Sequence, residues 1–271
     1  MTYPDFSVLC SLYNKEKPEY LEQCFMSLAW QSLPANEIVV VHDGPLTEEL
    51  YYVLNKWRSI LPLNEVILPK NVGLGDALNA GLASCKHEYI IRVDTDDVNH
   101  SNRFEKQIHY MCTAKDIAVS SAYIYEFEND YQNPCRIKRV PAGHEIKNYS
   151  LRRNPLNHMA VIFKKSAVID VGGYHHLPYM EDYYLWLRLI ARGYNISNMN
   201  EALVSARIGN GMLERRRGIT YVKSEAFMLK KIYELKLSNN ILPFIYYSLR
   251  IISRLIPKNI FHNVYSTLRK Y

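Results

Sequence analysis

Asp94-Thr95-Asp96-Asp97 directly follows the apolar run Glu88–Val93, so its carboxylates emerge together where a strand ends. Hard divalent cations such as Mg²⁺ and Mn²⁺ favour oxygen ligands, usually one or two carboxylates completed by substrate phosphates. A metal held there would bridge a nucleotide diphosphate and stabilise it as a leaving group. The same residues also suit a solvated turn with Asp at capping positions. A second acidic pair, Glu181-Asp182, opens a helix whose apolar face is Leu185, Leu189 and Ile190. Acids in a first turn complement the helix dipole, which is a sufficient structural reason for them. A carboxylate on a rigid helix end also suits a general base: it can be aimed at an acceptor hydroxyl and its pKa tuned by burial, with the adjacent acid holding its orientation.

Other polar residues sit at strand ends. Asp43 precedes Gly44-Pro45, where it either makes an Asx-turn or accepts a hydrogen bond from a base edge such as uracil. Asn71-Val-Gly73-Leu-Gly75 contains a Gly-x-Gly, but Leu78 stands where a third glycine would complete a dinucleotide fingerprint. His158, in Asn154-Pro-Leu-Asn157-His158, is either structural or a metal or substrate contact. Arg207 and the run Arg215-Arg216-Arg217 could contact a diphosphate, since guanidinium forks match phosphate oxygens; a solvated face is the alternative.

The elements that position these residues alternate. Phe6–Leu12, Glu37–His42, Glu65–Leu68 and Glu88–Val93 read as strands; Pro18–Gln31, Thr47–Ser59 and Asp76–Ser84 read as helices, with Thr47 as an N-cap. This predicts a parallel, doubly wound α/β sheet, with Tyr13-Asn14, Asp43, Asn71–Gly73 and Asp94–Asp97 gathered at the carboxyl rim where such sheets bind ligands. The second half is less regular: strands at Ala118–Phe127 and Met159–Phe163, and helices at Glu181–Arg192 (ended by Gly193), Thr220–Leu237 and Ile241–Ile256.

Of 271 residues, 48% are hydrophobic and 22% charged, which excludes wholesale disorder. The net charge of +6 is localised: no acid follows Glu234, whereas Lys236, Arg250, Arg254, Lys258, Arg269 and Lys270 do, leaving residues 1–234 neutral. A nucleic-acid-binding face over the body is not expected. Five scattered cysteines without a C-x-x-C pair argue against zinc and for free thiols in a reducing compartment. Neither a signal peptide nor an 18-residue uncharged apolar run is evident.

Taken in order, Tyr13-Asn14, Asp43-Gly44, Asn71-x-Gly73-Leu74-x-x-Ala77-Leu78-Asn79-x-Gly81, Asp94-x-Asp96-Asp97, Gly172-Gly173-Tyr174 and Glu181-Asp182-Tyr183-x-Leu185-Trp186 resemble the family 2 glycosyltransferases of GT-A fold, over roughly residues 5–215. The resemblance implies inverting transfer from a nucleotide sugar, usually a UDP-sugar, with Mn²⁺ or Mg²⁺. It implies donor contacts at Tyr13, Asn14, Asp43 (uracil), Asn71, Gly73, Asn79, Arg92, Asp94, Thr95, Asp96 and Arg207. The metal would be held by Asp94 and Asp96, with His158 a further candidate, and the acceptor by Asn157, His158, Tyr183 and Trp186. Asp182 would be the catalytic base with Glu181 beside it. The Gln-x-x-Arg-Trp motif and membrane helices of processive members are not evident, so by this resemblance the addition of a single sugar is expected. Asn154-Pro-x-Asn157-His158 and Arg207-x-Gly-Asn-Gly211 look most like transferases of bacterial O-antigen or exopolysaccharide repeat units, some of which add galactose or glucose to a sugar on a polyprenyl diphosphate.

Two alternatives stand beside it. A sugar-phosphate nucleotidyltransferase would carry a glycine-rich loop after the first strand, where this chain has Tyr13-Asn14-Lys15-Glu16-Lys17. A non-catalytic sugar-binding subunit would not need Asp94, Asp96 and Asp182 together. The expected organisation is a transferase domain over 1–235, with nucleotide and acceptor halves meeting near residue 100, and a basic helical tail over 236–271. Leu242, Ile245, Leu249, Ile252 and Ile256 recur at helical spacing in that tail. Their face either packs on the domain or lies on the inner face of the cell membrane, the expected address being the cytoplasm.

Overall fold

The computed structural model describes residues 2–209 and 218–255. The first half follows the alternation read from the sequence: β1 (Phe6–Leu12), α1 (Pro18–Ala29), β2 (Glu37–His42), α2 (Glu48–Trp57), β3 (Leu63–Ile67), α3 (Leu74–Ser84) and β4 (Tyr89–Arg92). Thr47 caps α2, its hydroxyl accepting the Leu50 N–H at 3.4 Å. The strands stand in the order β3-β2-β1-β4, all parallel. Period-two alternation divides the core between the two faces. Val8, Cys10, Ile38 and Val40 pack under α1 and α2, while Leu9, Val39 and Val41 pack under α3. At Gly81 a methyl group would come within 2.4 Å of Leu9 Cδ1 and 2.5 Å of Val41 Cγ2, so glycine is what lets α3 lie this close to the sheet.

The second half comprises β5 (Val98–Asn99), α4 (Arg103–Thr113), β6 (Ile117–Phe127), β7 (Arg136–Lys138), α5 (Glu145–Ser150), a 3₁₀ turn at His158–Ala160, β8 (Ile162–Lys164), α6 (Lys165–Asp170), α7 (Glu181–Arg192), β9 (Asn195–Arg207), α8 (Ile219–Glu234) and α9 (Leu242–Leu255). The sheet continues β4-β8-β6-β9-β5, with β8 antiparallel to both β4 and β6, β9 parallel to β6, and β5 antiparallel to β9. The parallel order of the first half thus passes into a mixed sheet.

Of the elements absent from the sequence reading, α4 and β9 are the longest. In α4, Arg103 and Gln107 occupy core-facing positions, so the apolar stripe is broken; Arg103 is fully buried because it bonds Gln107 Oε1 (2.9 Å) and the Arg92 carbonyl (2.7 Å). In β9 the first residues mix polar and apolar side chains and are only partly covered, and only Leu203–Ala206 is continuously buried; pairing with β6, through three local register shifts, holds the rest.

Of the two alternatives for the tail, packing on the domain is what one side of α9 does. The inner side of α9 packs on α7 and α8, with Tyr247 fully buried among Tyr183, Leu187, Met228 and Ile232. Arg250 and Arg254, counted in the tail's basic surplus, turn inward to the buried Glu225 at 2.8 and 3.6 Å. A carboxylate without access to water requires such partners, which the charge count alone does not reveal. The outer side, with Leu242, Ile245, Leu249, Ile252 and Leu255, is exposed. Lys258, Arg269 and Lys270, like Gly211 and Arg215–Arg217, lie outside the described residues.

Candidate active site

The carboxyl ends of β1, β2 and β4 form one rim. At the end of β2, Asp43 accepts the backbone N–H groups of Val72 (2.6 Å) and Gly73 (3.2 Å), and Asn71 Nδ2 donates back to its carbonyl (3.2 Å). Both carboxylate oxygens therefore shape the loop before α3. Gly44, at φ +86°, permits the approach: a Cβ there would stand 2.7 Å from Asn71 N. Tyr13 and Asn14 are exposed on the adjoining β1 loop.

The Asp94–Asp97 loop leaves β4 as the spacing requires. The buried Arg92, 2% exposed, pairs with Asp94. Thr95 donates to Glu16 Oε2 at 3.0 Å. Arg207, at the end of β9, clasps the loop from across the sheet. Its N–H reaches Asp97 Oδ1 (2.8 Å), its Nε the Asp96 carbonyl (3.2 Å) and its Nη2 Gln23 Oε1 (2.6 Å), while its guanidinium lies 3.8 and 4.5 Å from the ring centres of Tyr20 and Phe127. Arg207 therefore acts first on the loop.

Asp94, Asp96 and Asp97 bring one oxygen each to within 4.8 Å of one another, and Asp97 Oδ2 is buried without a hydrogen-bond partner among the described residues. Burial, then Asp94 and Glu16, raise Asp96 to about 7; burial, then Asp96 and Asp94, raise Asp97 well above the usual carboxylate range. Three crowded oxygen donors, one of them orphaned, fit a hard divalent cation. His158 is not in this group; its Nε2 meets the Tyr174 hydroxyl at 2.9 Å, and burial followed by the Arg92 charge holds it neutral, far below its ordinary pKa.

A cavity of about 210 Å³ joins this rim to α7, lined by Leu74, Arg92, Asp94, His158, Tyr174, Tyr179, Glu181 and Asp182, with Met159 at its side. Asp182 accepts from Asn154 Nδ2 at 2.6 Å. Burial raises its pKa, against the lowering effects of Asn154, the Tyr183 backbone, Arg92 and Lys138. Burial also raises Glu181 to about 7, with Asp182 and Asp76 contributing. Tyr179, two residues earlier, has φ +69°, an uncommon left-handed backbone for a side chain of its size.

Not every expected contact faces the cavity. Asn79 bonds the Tyr174 backbone twice, giving to its carbonyl and accepting its N–H at 2.7 Å each, so it acts by placing Tyr174. Asn157 (1% exposed), Tyr183 (2%) and Trp186 (0%) were expected at the acceptor, and the structure puts them in the core instead. Asn157 donates to the Ala122 carbonyl, Tyr183 to the Ser150 carbonyl, and the Trp186 ring packs edge-on against His158. Sequence reasoning assigned no role to Glu16, Tyr20, Asn154, Tyr174 or Tyr179. Asn154 and Tyr174 lie inside motifs that were recognised, but the contacts that matter span 28 and 16 residues.

Residues 7–172 match the family model described as glycosyl transferase family 2. The chain belongs to this family. The glycosyltransferase is 45% identical over 266 residues to the amylovoran biosynthesis glycosyltransferase AmsE of Erwinia amylovora, covering 98% of this chain and 99% of the relative. It is 40% identical over 222 residues to an Escherichia coli UDP-Gal:α-D-GlcNAc-diphosphoundecaprenol β-1,3-galactosyltransferase, covering 82% and 81%. Among solved structures it resembles Staphylococcus aureus TarS 1–349 in complex with UDP-GlcNAc (TM-score 0.68, 19% identity, 84% of this chain and 66% of that one). It also resembles the Pyrobaculum calidifontis mannosyltransferase PcManGT in complex with GDP-Man and Mn²⁺ (TM-score 0.66, 16% identity, 100% and 81%). The sheet and its flanking helices are those of a GT-A glycosyltransferase.

Proposed function

We propose that this glycosyltransferase moves a hexose, galactose or glucose, from a UDP-sugar to a sugar on a polyprenyl diphosphate, with inversion and one sugar per acceptor, in O-antigen or exopolysaccharide assembly. The observation that carries the reading is the shared cavity in which Asp182 and Glu181 face the Arg92–Asp94 pair. Names of relatives supply the chemistry of donor and acceptor: one is named for UDP-Gal and a diphosphoundecaprenol-linked sugar, another for amylovoran.

In this reading UDP lies along the rim from Asp43 to Asp94. Asp94, Asp96 and Asp97 would hold Mn²⁺ or Mg²⁺, which when bound offsets charge on the departing diphosphate. Asp182, its affinity for a proton raised by burial and its carboxylate held by Asn154, takes the acceptor hydroxyl proton. Glu181, protonated up to about pH 7, donates a hydrogen bond to the acceptor or the leaving oxygen. The acceptor oxygen then attacks the anomeric carbon from the face opposite UDP, and a single displacement inverts it.

The test pairs a panel of UDP-sugars with diphosphate-lipid acceptors. Asp182→Asn should abolish transfer while UDP-sugar binding survives, and EDTA should stop turnover until Mn²⁺ or Mg²⁺ is returned. Near-normal turnover by Asp182→Asn removes the base assignment.

The acceptor also bears on location. Among the described residues no helix is long and apolar enough to cross a membrane. The exposed outer side of α9 supports peripheral binding to the cytoplasmic face of the cell membrane. Leu249→Ser with Ile252→Ser should then reduce co-sedimentation with anionic vesicles, and unchanged sedimentation removes this part of the reading.

A further inference from the structure

We propose that Arg250 and Tyr247 of α9 are positioning residues for Asp182, acting through the segment 150–154 that carries its partner Asn154. The proposal rests on Asp182 being the base. Residues 155–157 are anchored in the core, the Pro155 carbonyl accepting Asn198 Nδ2 at 3.0 Å and Asn157 bonding Ser121 and Ala122, whereas the stretch 150–154 before them is gripped by α9 at three points. Arg250 Nη1 donates to the Arg152 carbonyl at 2.6 Å. The Tyr247 hydroxyl donates to the Tyr183 hydroxyl at 3.0 Å, which donates in turn to the Ser150 carbonyl at 2.6 Å. The Arg152 guanidinium lies between the rings of Tyr149 and Tyr246, 5.2 and 6.0 Å from their centres. Two residues beyond Arg152, the Asn154 side chain accepts the Leu156 N–H at 3.2 Å and donates to Asp182 at 2.6 Å.

Both sides of the Asn154–Asp182 bond are thus held from α9. Asp182 lies in the first turn of α7, and the next residue, Tyr183, is bound by Tyr247. Asn154 hangs on a loop whose carbonyls are bound by Arg250 and Tyr183. The Arg250 fork is itself fixed, because Glu225, with no exposed surface, accepts from its Nε at 3.1 Å and its Nη2 at 2.8 Å. A fork held by two bonds to a buried carboxylate has its remaining nitrogen aimed in one direction, toward Arg152. Lysine could satisfy Glu225 but cannot also reach the carbonyl with a fixed third donor.

The consequence is kinetic. A small displacement of a catalytic group costs rate without weakening the binding of a remote ligand. The groups around Asp182 are Asn154, the Tyr183 backbone, Glu181, Arg92, Tyr174 and Lys138, and of these Asn154 and Tyr183 are the ones held from α9. Loosening that segment removes a hydrogen bond to the ionised carboxylate and leaves the charges in place.

The experiment uses the full chain with UDP-sugar and diphosphate-lipid acceptor, comparing Tyr247→Phe, Arg250→Lys and Tyr233→Phe. The Tyr233 hydroxyl donates to the Asn240 carbonyl in the α8–α9 link (2.9 Å), so its variant loosens the hairpin away from the gripped segment. Arg250→Lys should lower kcat about tenfold or more with the donor KM unchanged, and move the acidic limb of kcat against pH upward. Tyr247→Phe should do the same to a smaller degree, and Tyr233→Phe should leave both parameters alone. If Arg250→Lys keeps normal kcat and pH profile, or if kcat and donor binding fall together in all three, the positioning role is overturned. Asp182→Asn, run alongside, separates the two readings: an active Asp182→Asn defeats the base assignment, whereas an inactive one beside a normal Arg250→Lys defeats only the inference from α9.

Discussion

Asn154 Nδ2 donates to Asp182 Oδ2 at 2.6 Å and thereby ties the loop before β8 to the first turn of α7. The bond favours the ionised carboxylate and opposes the upward push of burial. Asn154→Ala removes that opposition, so Asp182 should hold its proton to a higher pH. A base must be deprotonated to act, so the acidic limb of kcat/KM should move to higher pH, and kcat should fall by about 10–10² through lost orientation. A pH–rate series on the variant checks both; an unmoved limb would mean that Asn154 does not tune the base.

Arg207 joins three parts of the site without lying in the cavity. Lysine can hold one of its contacts, but it has no planar fork to lie between Tyr20 and Phe127 while bonding Gln23 and the Asp96 carbonyl. Arg207→Lys should weaken UDP binding in the presence of Mn²⁺ by about tenfold, the equivalent of one or two lost cation–π and hydrogen-bond contacts. Titration calorimetry reads this directly, and an unchanged Kd would show that the loop keeps its form unaided.

The parts of this site that follow strand ends were legible in the sequence, because a β-run stopping at Asp43 or Asp94 states where the carboxylate must emerge. Glu181-Asp182 was legible for a related reason: a helix start is marked by its acids and its end by Gly193, which adopts φ +93°. What was not legible depends on contacts between distant residues. Asn157 and Trp186 sit in recognised motifs, yet whether a motif residue faces a cavity or the core is decided by the packing of β6 and α7. Likewise α4 hid because Arg103 breaks its apolar stripe, and it takes the Arg92 and Val161 carbonyls, Asn99 and Gln107 to make that burial tolerable.

Gly173 and Gly193 both require positive φ, at +68° and +93°, but only Gly173 is crowded: a Cβ there would lie 2.5 Å from Asn79 Oδ1, whereas Gly193 has open space. Alanine at either position should cost about 1–3 kcal/mol for the backbone. Gly173→Ala should be the more destabilising and should also displace Tyr174 from His158, lowering activity; Gly193→Ala should lower Tm alone. Thermal melts with parallel transfer assays decide this, and equal losses of activity would disconnect Asn79 and Tyr174 from catalysis.

Glu181 gives a stability prediction whose sign follows from its environment. Its pKa is raised from an ordinary 4.5 to about 7, chiefly by burial and then by Asp182 and Asp76. Between those values the folded chain holds a proton that the unfolded chain has released. The stabilising contribution of this protonated acid is therefore complete below about pH 4.5 and is lost as pH rises through 7. Glu181→Gln presents a similar shape without the ionisable proton. Its Tm should match that of the parent near pH 5 and exceed it near pH 8, where the parent must ionise a half-buried carboxylate beside Asp182. A Tm difference independent of pH would mean that Glu181 is solvated well enough to titrate as an ordinary acid, and its proposed role as a hydrogen-bond donor at neutral pH would fall with it.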